Sequence, residues 1–234
     1  LEKRRREVEV TQAISNAIAN SSFQVYYQPI FSIPEGRYTN MEALVRLIDD
    51  TVGFIPPDEF IPIAEKTGDI LAIGEIVLEK VCSFIGEYHP EDYGIKSIHV
   101  NLSVVQCMQE NITIKLMNII DKYRIPYKLV DFEITETTAD NTSDSLDTIM
   151  RMFNEKGISF SLDDYGTGYS NQSNLMKYPY SIVKIDKSMV WACDSNPNAL
   201  VLLKHTVAMI KDLNMKVLAE GVETEKHLAF LKEI

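Results

Sequence analysis

From about residue 97 onward the chain switches repeatedly between short strand-like runs and helical stretches, and that alternation leaves few folds open. Runs of β-branched, aromatic and other apolar residues fall at 97–102, 129–135, 158–162, 181–185 and 216–219. Between them, apolar residues recur at helical spacing near 113–123, 142–156, 171–178 and 198–213, and a last helix is expected from Thr224. A strand that returns parallel to its predecessor needs a crossover of a dozen or more residues, which these helices supply. The pattern predicts a parallel sheet covered by helices, either open or closed into a barrel.

The N-terminal part is built differently. Residues 23–31 and 38–47 both read as strands, and the link between them, with Pro34 and Gly36, is too short for a parallel crossover, so this pair is predicted to be antiparallel. A short helix follows at 58–66, with Asp58 as its expected cap and Gly68 closing it. A longer one spans 69–88, with Ile73, Ile76, Val77, Val81 and Phe84 at helical spacing. Residues 2–20 read as a further helix with Val8, Ile14 and Ile18 on one side. The basic residues Lys3 to Arg6 oppose its dipole, so residues 1–22 are expected to be a linker helix continuing from something upstream, and 23–234 the domain proper. Seven strands are expected, one short of the usual eight of a barrel, so the domain is expected to be truncated at its C-terminus.

Composition narrows the function classes. At 234 residues the chain fits one large domain, and 45% hydrophobic with 24% charged residues excludes a disordered polymer. No apolar run reaches the ~20 residues of a bilayer span and no signal peptide opens the chain, which points to the cytoplasm, with any membrane anchor left to an upstream region. A net charge of −11 argues against a nucleic-acid polymer as partner. Cys82, Cys107 and Cys193 form no CxxC pair and suit a reducing compartment as small buried residues. Trp191 and the methionines read as packing residues; His89, His205 and His227 have no ligand spacing, and His99, on the strand face of Asn101, reads as structural.

What remains is a regular placement of polar residues near the C-terminal ends of the strands: Asn101, Glu133, the pair Asp163 and Asp164, Lys184 with Asp186, and Glu220. Barrel enzymes keep their chemistry at such ends. The second strand adds Glu42 and Arg46, four residues apart and on one face. Asp163 and Asp164 are expected where the strand at 158–162 ends, and Gly166 and Gly168 are expected to carry the turn away. Adjacent carboxylates repel, so the pair asks for a cation or a proton. A donor set of carboxylates, an Asn carbonyl and a Lys suits Mg²⁺ or Mn²⁺, and two ions bridged by Asp163 would suit the hydrolysis of phosphate esters.

In this order the chain also carries Tyr27-Gln28-Pro29-Ile30, Glu42-Ala43-Leu44-Val45-Arg46, Phe60 to Glu65, Val100-Asn101-Leu102-Ser103, Glu133-Ile134-Thr135-Glu136, Asp163 to Ser170, Val183 to Asp186 and Ala219 to Glu223. Together these motifs resemble the EAL-type cyclic di-GMP phosphodiesterase domain, from about Phe23 to the end. The resemblance implies a modified TIM (β/α)8 barrel with an antiparallel first strand, and hydrolysis of cyclic di-GMP to linear pGpG with two Mg²⁺ or Mn²⁺ ions. It implies metal binding by Glu42, Asn101, Glu133, Asp163 and Asp164, with Lys184 positioning the attacking water and Glu220 as general base. Arg46 would hold a phosphate, and Gln28, Leu44 and Asp186 would line the dinucleotide pocket. Glu136 would anchor the loop after Asp164, which couples metal binding to a homodimer interface. An upstream sensor or diguanylate cyclase-like domain is a further implied partner. The Phe usual after the paired acids is Tyr165 here, and the family's Gln-Gly-Tyr segment and last strand do not occur before Ile234. The alternative function is a receptor that binds cyclic di-GMP without cleaving it, although such relatives lose metal-ligand acids that this chain retains.

Overall fold

The hairpin required by the short N-terminal link is present in the computed structural model, which describes residues 2–136, 139, 143–167 and 172–234. Two units are distinguished, Leu1–Asp131 and Phe132–Ile234.

In the first unit, helix α1 (Glu2–Ala19) precedes β1 (Gln24–Ser32) and β2 (Arg37–Asp49), which pair antiparallel with Gln28 opposite Glu42 and Tyr26 opposite Leu44. The short β3 (Gly53–Ile55) folds back on β2 and was not expected from the sequence. Then come α2 (Pro57–Thr67), α3 (Ile70–Tyr88) and β4 (Ser97–Asn101), which runs parallel to β2 with His99 level with Glu42. The unit closes with α4 (Val104–Cys107), a single turn that the sequence pattern hid, and α5 (Ile112–Lys122).

Two local expectations are corrected here. In α1 the buried residues are Val10, Ala13, Ile14 and Ala17, whereas Val8 is 69% exposed. Small alanines belong to the true inner face, and Arg6 holds α1 to α2 by a two-pronged contact with Glu59 at 2.6 and 2.9 Å. Asp58 does not cap α2: Pro56 holds the cap position with no side-chain hydrogen bond, and Pro57, which has no amide hydrogen to satisfy, opens the helix. Gly68 closes α2 in the left-handed conformation as expected.

The second unit carries β5 (Val130–Thr135), which starts two residues before the division, α6 (Ser143–Lys156), β6 (Ser159–Tyr165), α7 (Gln172–Lys177), β7 (Ile182–Ile185), α8 (Lys187–Ala192), α9 (Pro197–Asp212), β8 (Lys216–Ala219) and α10 (Glu225–Glu233). Strands β5, β6, β7 and β8 are neighbours in that order, and β6–β7 and β7–β8 are parallel. Phe132, Phe153 and Phe160, with ring centroids 5.3–5.8 Å apart, fill the layer between α6 and the strands. Helix α8 was not expected. Gly168, Tyr169 and Ser170 of the sequence motif, and the expected helix starts at Thr142 and Asn171, lie outside the described residues.

The strand at 158–162 does not stop before its paired acids; β6 runs through them to Tyr165. Leu162 pairs with Val183 and Tyr165 with Ile185, so two residues of β6, Asp163 and Asp164, stand opposite the single Lys184. This is a β-bulge, which re-aims side chains where a regular ladder would alternate them. Asp164 takes the extra turn with φ 56°, a conformation that Asp tolerates better than most side chains.

Candidate active site

Lys184 is the centre of the polar cluster in the second unit. Its side chain is 1% exposed, and its Nζ lies 2.9 Å from Glu133 Oε2, 3.1 Å from Asp163 Oδ1 and 3.1 Å from Glu220 Oε1. Four consecutive strands therefore contribute: Glu133 from β5, the acid pair from β6, Lys184 from β7, and Glu220 directly after β8. Adjacent parallel strands bring residues distant in sequence to one level, and the bulge in β6 lets both Asp163 and Asp164 join.

The charges do not balance. Lys184 is one cation among the carboxylates of Glu133, Asp163, Asp164 and Glu220. Burial pushes Glu133 up to about 7, with repulsion from Asp163 and Glu220 adding to it and Lys184 opposing it. Asp164 is pushed up to about 6, again chiefly by burial and then by Asp163, Glu220 and Asp186. Ligand oxygens of Asp163, Asp164 and Glu220 lie within 4.8 Å of one another. An all-oxygen donor set with surplus negative charge fits a hard divalent cation of the Mg²⁺ or Mn²⁺ type. Asp163 is further fixed by the Asp164 amide, which donates to its Oδ1 at 2.9 Å.

Two other expected residues lie nearby in this unit. Asp186 is buried, and its Oδ1 accepts from the Ser188 amide at 2.8 Å, capping α8. Glu136 is buried just past β5, and its charge adds to the burial that raises the Tyr165 phenol. Tyr165 is itself buried, so the ring that replaces the family's Phe serves as core.

The remaining expected residues belong to the first unit and share one face of its strands. Gln28, Glu42 and His99 form one row by register, and Leu44, Arg46 and Asn101 follow on the same side at period two. Ala43, which alternates with Glu42 and Leu44, is buried on the opposite side. The Arg46 guanidinium donates to the Val45 carbonyl at 2.9 Å and lies 5.6 Å from the Tyr26 ring centroid. His99 is fully buried beside Asn40, in keeping with a structural reading.

Against this geometry, the sequence profile described as EAL domain matches residues 11–234. The chain belongs to the EAL domain family. Among curated relatives of this EAL domain, the signaling protein YkoW of Bacillus subtilis is 35% identical over 94% of the chain and 28% of that protein. The bifunctional diguanylate cyclase/cyclic di-GMP phosphodiesterase MucR of Pseudomonas aeruginosa is 31% identical over 97% of the chain and 33% of that protein. The chain thus spans about a third of the length of these relatives. Among solved structures, the PaMucR phosphodiesterase in complex with c-di-GMP superposes with a TM-score of 0.89 at 31% identity, covering 96% of this chain and 91% of that one. The fold is therefore that of EAL domains, in which an antiparallel first strand pair precedes parallel strands. Glu42, Ala43 and Leu44, the tripeptide that resembles the family signature, lie within β2.

Two features of the EAL domain were missed in the sequence. Trp191, read as packing, is 40% exposed and donates from Nε1 to the Gly221 carbonyl at 2.9 Å. His227, read as lacking ligand spacing, is buried and meets Asp194 at 2.8 Å. Both contacts join segments about thirty residues apart, so no local pattern announces them. Among the described residues, no helix is long and apolar enough to cross a membrane.

Proposed function

We propose that this EAL domain hydrolyses one phosphodiester bond of cyclic di-GMP, giving linear pGpG, with Mg²⁺ or Mn²⁺ as cofactor. The observation that carries the reading is Lys184 held within 2.9–3.1 Å of three carboxylates from three other strand ends, beside the bulged Asp164. A buried cluster with more acids than cations is costly in a protein that does not use it.

In this reading Asp163, Asp164 and Glu133 hold metal, with Glu42 and Asn101 as further ligands on the strength of their motifs. Bound metal would supply a nucleophile near neutral pH and offset charge gathering on the phosphorus. Lys184 would orient the attacking water and add positive charge where the phosphoryl oxygens become more negative. Glu220, whose side chain is 27% exposed and so reaches solvent, would accept the water's proton. Arg46 would grip a phosphate through its planar fork, with Gln28, Leu44 and Asp186 shaping the nucleotide site. Glu136 would steady the segment that follows Asp164. The partners proposed are cyclic di-GMP, a second copy of the domain and, in a longer protein, an input domain.

The test is conversion of cyclic di-GMP to pGpG with Mg²⁺ or Mn²⁺ by the wild type and by Glu42→Ala. Turnover lost in the variant supports the reading. Tight binding by the wild type without any cleavage would replace it with a receptor function, and normal cleavage by Glu42→Ala would remove Glu42 from the site.

A further inference from the structure

Glu220 has the least regular structure behind it of the clustered acids, because β8 ends at Ala219 and α10 begins only at Glu225. The Glu220 amide is tied to the Ile185 carbonyl at 3.0 Å. Beyond it, the segment is held by the chain that follows β7, the strand carrying Lys184. Trp191 Nε1 donates to the Gly221 carbonyl at 2.9 Å. Gly221 has φ 67°, and a Cβ there would lie 2.4 Å from Lys187 Cβ and 2.8 Å from Trp191 Nε1, so backbone is pressed directly onto α8.

The second tie is more specific. His227 is 2% exposed, and its Nδ1 accepts the Glu223 amide hydrogen at 3.3 Å. That leaves its proton on Nε2, which donates to Asp194 Oδ2 at 2.8 Å. Asp194 Oδ1 is taken by Lys226 at 2.9 Å, and the His227 amide donates to Thr224 Oγ1 at 3.1 Å. One imidazole thus bridges the backbone three residues after Glu220 to a carboxylate on the Lys184 side.

We propose that His227 and Asp194 are positioning residues for Glu220: the bridge fixes residues 221–224 and so sets the Glu220 carboxylate against Lys184. The proposal rests on the role assigned to Glu220 above. Its chemistry is particular, because the bridge needs an acceptor facing Glu223 and a donor facing Asp194. A Gln side chain offers the same pair, its carbonyl for the first and its amide for the second; a Leu fills the space and offers neither.

The experiment compares wild type, His227→Leu and His227→Gln in hydrogen–deuterium exchange over residues 221–224 and in cyclic di-GMP hydrolysis. Expected is loss of exchange protection in His227→Leu, with kcat lower by roughly 10- to 100-fold and KM within about twofold, and recovery of both in His227→Gln. Unchanged protection in His227→Leu overturns the proposal, as does lost protection with unchanged kcat, or a kcat loss that Gln does not restore. Were the wild type itself unable to cleave cyclic di-GMP, the proposed function would fall; the positioning inference would then be decided by exchange together with the Mn²⁺-induced rise in Tm. A weaker rise in His227→Leu, restored by Gln, supports it, and an equal rise in all three overturns it.

Discussion

Lys184 Nζ and Glu220 Oε1 lie 3.1 Å apart, a contact that follows from the parallel pairing of β7 with β8 and the Glu220 amide bonding to the Ile185 carbonyl. The same ammonium is the cation nearest to buried Glu133 and Asp163. Lys184→Met keeps the unbranched stem and removes the charge. Hydrolysis of cyclic di-GMP is expected to fall by at least ~100-fold, the size seen when a charge aimed at the reacting group is deleted. At pH 8 without divalent cation, the variant should also unfold more readily by roughly 3 kcal/mol, because partnered acids have lost their cation. Urea titration and a turnover assay check the two effects, and wild-type turnover in Lys184→Met would remove the lysine from the chemistry.

Metal addition and removal should act on stability in the opposite sense. Asp163, Asp164 and Glu220 present oxygens within 4.8 Å of one another, so a divalent ion relieves repulsion that the folded state otherwise bears. Ligand that binds only the folded chain raises stability by about 2.7 kcal/mol at a hundredfold excess over its Kd. Tm measured with EDTA and then with excess Mn²⁺ is expected to rise in the wild type and to stay flat in the double variant Asp163→Asn with Asp164→Asn. An equal rise in both proteins would place the ion elsewhere.

The alternation of strands and helices after residue 97 was legible because apolar periodicity is a local signal, and the antiparallel first pair because its link is short. The paired acids were visible as residues, but their placement was not. A strand that ends before Asp163 and one that bulges through Asp164 share the same alternation of Ile158, Phe160 and Leu162 with serines, and only the pairing with β7 separates them. Val8 misled for a related reason. The inner face of α1 includes Ala13 and Ala17 beside Val10 and Ile14, and small residues like these stand out little in an apolar-spacing reading. Trp191 and His227 were passed over because their partners, Gly221 and Asp194, are chosen by the chain's return and not by spacing. Motif order added Gln28, Leu44 and Glu136 to the residues that strand-end chemistry had already singled out.

Gly166, the first residue after β6, offers a direct check on the bulge and the turn that follows. Its φ is 103°, and a Cβ there would sit 2.2 Å from Met189 Sδ and 2.9 Å from Met189 Cγ. Gly166→Ala meets both a strained backbone and a clash with a side chain of α8. The expected cost is on the order of 1–3 kcal/mol, read as a lower urea midpoint with an unchanged slope. Met189→Ala in the same chain should recover only the part due to the clash, since the φ strain remains. A Gly166→Ala protein as stable as the wild type would mean that the turn has another conformation.

The buried thiols give a pH dependence whose sign is fixed. Burial pushes Cys82 and Cys107 up to about 12 from an ordinary 9.0. The folded chain therefore keeps these two protons at pH values where the unfolded chain releases them. The stability they contribute is fully present below pH 9 and is lost as pH rises from 9 toward 12, because unfolding then releases protons. One unit above 9.0 each thiol accounts for about 1–2 kcal/mol of that loss. Urea unfolding at pH 8, 9 and 10 should show the wild type losing stability more steeply than Cys82→Ala with Cys107→Ala, by about 3 kcal/mol at pH 10 if both thiols act independently. Other groups that titrate in this range act on both proteins and cancel in the difference. Parallel pH profiles for the two proteins would mean that at least one of these sulfur atoms is reached by water in the folded chain.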